Sequence, residues 1–143
     1  MELKVKKLSP EAQLPHRATA SSTGLDLFAC IGIDNAIRLD STPRLIGTGI
    51  AIEFPPGYDV QIRPRSGLSL KGVGVTLGTI DSDYRGEVMV TMYMITPGSS
   101  FEIKHGDRIA QLVINKLADV KVVDTIKLSP TKRGSGGHGS TGR

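Results

Sequence analysis

The stretch that decides the fold is residues 87–115, EVMVTMYMITPGSSFEIKHGDRIAQLVIN. It contains three short runs rich in Val, Ile and Met, at Glu87–Ile95, Ser100–Lys104 and Arg108–Asn115, separated by the turn sequences TPG and HGD. Short apolar or alternating runs bounded by Gly, Pro and Asp are typical of β-strands. This stretch therefore predicts three consecutive strands.

The same pattern continues on both sides of that stretch. Leu45–Phe54 and Tyr58–Arg63 predict strands upstream, and Asp119–Ile126 predicts one downstream. Helical periodicity is weak, so we expect only a short helical turn after Ser66. Closely spaced strands with Gly and Pro punctuation favour a sandwich or a barrel. The predicted fold class is all-β.

Composition narrows the function classes. The 143 residues fit one domain, and a single cysteine, Cys30, excludes an internal disulfide and a multi-cysteine zinc site. There is no apolar run of membrane-spanning or signal-peptide length, so we expect a cytoplasmic protein without a membrane partner. A net charge of +4 with 4% aromatic residues does not favour nucleic-acid binding, and a small polyanion is the expected partner.

The last residues differ from the rest of the chain. Residues 129–143, SPTKRGSGGHGSTGR, have no apolar side chain that could anchor them in a core, so we expect a mobile tail after a domain of residues 1–128. Two interpretations stay open. The segment is either a plain disordered tail or a phosphate-binding loop, because glycines let successive N–H groups converge on one anion.

Four internal segments carry polar groups that the strands do not need. Asp26 lies among apolar residues, as a turn cap or as a ligand, and PRSGLS at 64–69 combines a guanidinium, a hydroxyl and backbone N–H groups. GTIDSDYRGE at 78–87 places two carboxylates and a phenol in an apparent hairpin. Gln111 stands on an apolar strand, where a buried amide requires hydrogen-bond partners.

Together, PRSGLS, GTIDSDYRGEV, GDRIAQL and RGSGGHGSTG resemble the ordered motifs of the homotrimeric dUTPase family, from Thr23 to Gly142. The resemblance implies a jelly-roll-like β-barrel with a flexible glycine-rich tail. It also implies a homotrimer whose active sites are shared between chains, and the reaction dUTP to dUMP and pyrophosphate. That reaction keeps uracil out of DNA and supplies dUMP for thymidylate synthesis.

The resemblance also assigns roles to residues. Asp81 would be the catalytic base, Gln111 would contact the α-phosphate region, and Asp26 would bind Mg²⁺ through water. The substrate-binding residues that it implies are Arg65, Ser66, Gly67, Gly78, Thr79, Ile80, Asp81, Tyr84, Met89, Arg133, His138, Gly139, Ser140 and Thr141. His138 departs from the family pattern, which usually has Phe at that position. The alternatives are a dCTP deaminase-like enzyme of the same fold and a non-catalytic nucleotide-sensing protein.

Overall fold

The structure is a computed structural model, and it describes residues 1–142. The predicted tail therefore has one residue, Arg143, outside the described part. The strands and the one short helix are β1 Lys4–Lys7, β2 Leu25–Phe28, β3 Ala36–Leu39, β4 Arg44–Gly47, β5 Ile50–Glu53, β6 Tyr58–Arg63, α1 Ser66–Leu70, β7 Val73–Val75, β8 Gly78–Ile80, β9 Met89–Met94, β10 Phe101–Lys104 and β11 Arg108–Lys116.

All seven strand pairs within residues 1–142 are antiparallel, and they form four sheets. The largest has the order β2-β11-β6-β8, and a second has the order β4-β9-β7. The pairs β1-β5 and β3-β10 complete the set. Neighbouring strands in each sheet come from distant parts of the chain, as in a jelly-roll. The all-β, jelly-roll-like fold class is thus confirmed.

One hydrophobic core joins the sheets. One strand of each larger sheet, β6 and β9, alternates in burial, as β9 shows with Val90, Met92 and Met94 inside and the residues between them half-buried. This is the period of two that a one-sided strand requires. Side chains from every sheet meet in this core, among them Val5, Leu39, Ile46, Ile52, Val60, Val90, Ile103 and Leu112.

Four predicted strands are confirmed with small changes of boundary at most, and they are the strands at 58–63, 87–95, 100–104 and 108–115. The predicted strand 45–54 is two strands, because the chain turns at Thr48-Gly49, where Gly49 has φ +66°. A positive φ interrupts a strand and suits glycine. The helical turn after Ser66 is also confirmed, as α1.

The predicted strand at 119–126 is wrong. Residues 119–126 form no strand, because the described chain offers this segment no pairing partner, and Val122 and Ile126 are exposed. The single cysteine, Cys30, is half-buried and packs against the core. Within residues 1–142, no helix is long and apolar enough to cross a membrane. The cytoplasmic location stays a prediction.

Candidate active site

Asp26 and two arginines form a charged cluster at one end of the four-stranded sheet. Arg65 follows β6, and its Nε donates to Asp26 Oδ1 at 3.1 Å. Arg108 lies at the start of β11, with its Nη1 3.6 Å from Asp26 Oδ2. Asp26 is 8% exposed, and its Oδ2 is buried without a hydrogen-bond partner, since 3.6 Å is too long for one. Two guanidinium groups around one carboxylate leave this end of the sheet cationic.

A β-bulge brings Arg108 into the cluster. In the β2-β11 ladder, Gln111 faces Asp26 and Arg108 faces Phe28, with a register shift between Arg108 and Ala110. Residues three apart on a regular strand point to opposite faces, whereas one extra residue restores the same face. The sequence analysis therefore missed Arg108, although it belongs to the GDRIAQL motif. A strand pattern alone carries no signal for the bulge.

Gln111 is held against the segment that precedes Arg65. Its Nε2 donates to the carbonyl oxygen of Pro64 at 2.9 Å, so the half-buried amide has the partner that its position requires. Gly24 leaves the space that this side chain occupies, because a Cβ at Gly24 would lie 2.9 Å from Gln111 Cδ. Gln111 thus links β11 to the PRSGLS segment.

The PRSGLS segment turns from β6 into α1. Arg65 caps this helix without a side-chain hydrogen bond, and Ser66 and Gly67 are exposed in its first turn. A Cβ at Gly67 would meet no atom within 4 Å. Glycine costs roughly 1 kcal/mol relative to alanine inside a helix. Because the chain itself does not require glycine here, the free space is available for a ligand.

Asp81 lies in a second place, at the rim of a cavity of about 230 Å³. Asp81 directly follows β8. The cavity is lined by Ile62, Gly78, Thr79, Ile80, Asp81, Tyr84, Glu87, Val88 and Met89. Five predicted substrate-binding residues besides Asp81 therefore surround one cavity. β8 pairs with β6, while β9 pairs with β4 and β7. The predicted hairpin is therefore a loop that connects strands of two different sheets.

The loop at 81–87 is closed by its own hydrogen bonds. Tyr84 N donates to Asp81 O at 3.1 Å, and Arg85 Nη1 donates to the carbonyl oxygens of Ser82 and Tyr84 at 2.8 and 3.0 Å. The Tyr84 hydroxyl donates to the carbonyl oxygen of Glu87 at 3.0 Å. These bonds hold the Tyr84 ring at the cavity with 45% of the residue exposed.

The glycine-rich tail forms tight turns that share no hydrogen bond with the cationic cluster and do not line the cavity. Arg133 Nε donates to Gly136 O at 2.8 Å, and Ser140 N donates to Gly137 O at 3.1 Å. His138, with φ 49°, and Thr141 are exposed. Over residues 129–142, every hydrogen bond joins two residues of that same segment. The described chain therefore does not bring the tail to the cationic cluster or to the cavity.

The cationic cluster and Asp81 itself lie toward opposite ends of β6, although the cavity beside Asp81 extends along the strand to Ile62. In the β6-β8 ladder, Ile80 faces Val60, so Asp81 leaves the sheet at the start of β6. Arg65 follows the other end of the same strand. The five steps along the chain from Val60 to Arg65 span up to about 16 Å at the usual rise of a strand. One chain thus separates the residues that the sequence analysis assigned to one site.

Comparison with known proteins settles the family. A family model described as dUTPase matches residues 10–142. The chain belongs to the dUTPase family. It is 47% identical to a deoxyuridine 5'-triphosphate nucleotidohydrolase of Nautilia profundicola, over 100% of both chains. It is 49% identical to the protein of the same name from a Hydrogenobaculum species, over 99% of both chains.

The dUTPase fold also matches a solved structure. A mutant dUTPase of Staphylococcus bacteriophage 80alpha, determined with dUpNHpp, superposes with a TM-score of 0.89. The two proteins are 26% identical over 99% of each chain. All four sequence motifs that indicated the dUTPase family lie inside the matched residues 10–142.

Proposed function

We propose that this chain hydrolyses dUTP to dUMP and pyrophosphate, through attack of water on the α-phosphorus. The observation that carries the proposal is the Asp81 carboxylate at a cavity lined by five other predicted substrate-binding residues, in a protein that also presents a cationic cluster. Related proteins named for this activity, similar over their whole length, support the same substrate. The product dUMP would feed thymidylate synthesis, and removal of dUTP would keep uracil out of DNA.

Asp81 acts as the general base in this proposal. It orients a water molecule and accepts a proton as the oxygen–phosphorus bond forms and the bond to pyrophosphate breaks. A positioned base contributes about 10²–10⁴-fold to such a step. The exposed position of Asp81, directly after a paired strand, gives its carboxylate a fixed origin and access to water.

The cavity beside Asp81 receives the deoxyuridine. Backbone groups of Gly78 to Ile80 and the side of Met89 face the base, while the Tyr84 ring packs beneath the sugar and leaves no space for a 2′-hydroxyl. Polar groups of the loop that fit uracil would stay unpaired with cytosine, and such mismatches give strong rejection.

The phosphates lie on the cationic groups. Arg65 and the exposed first turn at Ser66 and Gly67 supply a guanidinium, a hydroxyl and backbone N–H groups, a donor set that suits phosphate oxygens. Gln111 approaches the α-phosphate from β11. The tail then closes over the substrate, where Arg133 meets the γ-phosphate, His138 covers the uracil ring, and Gly139, Ser140 and Thr141 wrap the phosphate oxygens.

Mg²⁺ is the expected cofactor, and the donor chemistry of the cluster fits it. The buried Oδ2 of Asp26 lacks a hydrogen-bond partner, and a carboxylate oxygen is a ligand that magnesium prefers. Within residues 1–142, no group of three or more His, Cys, Asp or Glu side chains is placed to hold a metal. Asp26 would therefore hold the ion through water, together with substrate phosphates. When bound, the ion neutralises charge on the phosphates.

A trimer with shared sites reconciles the two separated places. Because Arg65 and Asp81 lie at opposite ends of β6, a triphosphate bound beside Asp81 would take its cationic contacts from another chain. The segment after β11 supports association too, since Leu117, Val120, Val122, Ile126 and Leu128 are all exposed. Apolar side chains that find no core in one chain are typical of an interface. From residue 129 onward the tail would serve a site on neighbouring chains.

The test is pyrophosphate release from dUTP, dTTP, dCTP and UTP at equal concentration with Mg²⁺. We expect measurable pyrophosphate release from dUTP alone. Formation of deoxyuridine nucleotides and ammonia from dCTP would instead identify the dCTP deaminase-like alternative. Tight binding of dUTP with no turnover would identify the nucleotide-sensing alternative.

A further inference from the structure

The end of the loop at 81–87 is fixed to the turn between β4 and β5 by three hydrogen bonds. Glu87 Oε1 accepts from the backbone N–H of Gly49 at 2.8 Å, and the Thr48 hydroxyl donates to Val88 O at 2.6 Å. Val88 N donates to Ile50 O at 2.8 Å. Thr48 is 1% exposed, so this attachment is largely out of water. Bonds of this kind are costly to leave unmade.

This attachment reaches the Tyr84 ring through one residue. The carbonyl oxygen of Glu87 accepts from the Tyr84 hydroxyl at 3.0 Å, while the Glu87 side chain accepts from Gly49. The phenol and the β4-β5 turn are therefore joined to the same residue. Gly86 gives the ring its space, because a Cβ at Gly86 would overlap the Tyr84 hydroxyl. The orientation of the ring depends on where the backbone of Glu87 is held.

The Asp81 end of the loop has separate supports. β8 pairs with β6, and the Asp81–Tyr84 turn is closed by a backbone hydrogen bond and by Arg85. Removing the Glu87 carboxylate leaves these bonds in place. The loop thus has one fixed end that carries Asp81 and another that sets Tyr84.

We propose that Glu87 is a positioning residue for sugar selection, which acts through Tyr84 and not on the reacting atoms. Its carboxylate fixes the backbone that receives the phenol, and the phenol fixes the ring beneath the sugar. The inference rests on the proposed function, because it concerns how the same cavity rejects a ribonucleotide. It separates discrimination between sugars from the chemistry at Asp81.

The experiment compares kcat and KM for dUTP and UTP in the wild type, Glu87→Ala and Glu87→Gln. For Glu87→Ala we expect the dUTP/UTP ratio of kcat/KM to fall about tenfold, as the loss of one buried hydrogen bond implies. The change appears in KM, with kcat for dUTP within about threefold of the wild type. Glu87→Gln keeps an acceptor oxygen for Gly49 and should retain most of the ratio.

Glu53→Ala is the matched control, since it removes an exposed carboxylate from β5 that pairs with Lys4. It should leave the ratio unchanged. An unchanged ratio in Glu87→Ala, or equal losses in the alanine and glutamine variants, would overturn the inference. Absence of wild-type dUTP turnover would contradict the proposed function itself, and is thereby distinguishable.

A second variant covers the case in which Glu87→Ala does not fold. Thr48→Val preserves shape and removes only the hydroxyl that donates to Val88. We expect a smaller fall in the dUTP/UTP ratio, about threefold, from the same loosened end. A Thr48→Val enzyme with wild-type discrimination would overturn the inference in that case.

Discussion

Gly24→Ala should damage catalysis by displacing Gln111. A Cβ at Gly24 overlaps Gln111 Oε1 and lies 2.9 Å from Cδ and 3.0 Å from Cβ. The amide must therefore swing away, and its 2.9 Å hydrogen bond to Pro64 O is lost. One such bond contributes about 1 kcal/mol net, and more when a half-buried partner is left unpaired. We expect kcat/KM for dUTP to fall about tenfold, which corresponds to about 1.4 kcal/mol.

A double-mutant cycle tests that reasoning. In a Gln111→Ala background the displaced amide no longer exists, so adding Gly24→Ala should change kcat/KM by less than about threefold. The measurement is pyrophosphate release, with circular dichroism and thermal melting to show that each variant folds. A Gly24→Ala enzyme within twofold of the wild type would refute the reasoning. So would full multiplication of the two single effects, because independent sites give no coupling.

Three further predictions concern the base and the tail. Asp81→Asn should preserve binding of dUTP, measured by calorimetry, and lower kcat by about 10²-fold or more. Asp83→Asn on the same loop should leave kcat near the wild-type value. Comparable turnover in the two variants would deny Asp81 its role. Truncation before Arg133 should leave the oligomer and the melting temperature intact while most activity is lost, and unfolding of the truncated chain would contradict a tail that only covers substrate. His138→Phe should lower KM for dUTP a few-fold, since a larger ring offers more stacking area, and a raised KM would oppose that assignment.

The strands that were predictable from sequence are those whose pattern is local. Residues 87–115 alternate and end in turn sequences, and β9, β10 and β11 appear there. The break at Gly49 was missed because Leu45–Phe54 reads as one apolar run, while the turn depends on a positive φ and on the contact with Glu87. β3 was missed as well, because four residues of mixed character gain their stability only from pairing with β10.

The site residues divide in the same way. Arg65, Asp81 and Gln111 stand out because a polar group interrupts an apolar pattern, and the structure gives Arg65 and Gln111 their partners. Arg108 did not stand out, since its direction depends on a bulge. The separation of Arg65 from Asp81 was equally invisible, because strand order and register arise from pairing between distant parts of the chain.

In the proposed trimer, one catalytic centre takes its cationic groups from one chain and its base from another. Arg65→Ala and Asp81→Asn chains, each inactive alone, are unfolded, mixed in equal amounts and reassembled. If the two residues of a site come from different chains, about half of the sites draw Arg65 from an intact chain and about half of those draw an intact Asp81, so roughly a quarter of wild-type dUTP turnover returns. If both residues of a site belong to one chain, no mixture contains an intact site. Turnover no higher than that of the separate variants would contradict a site shared between chains.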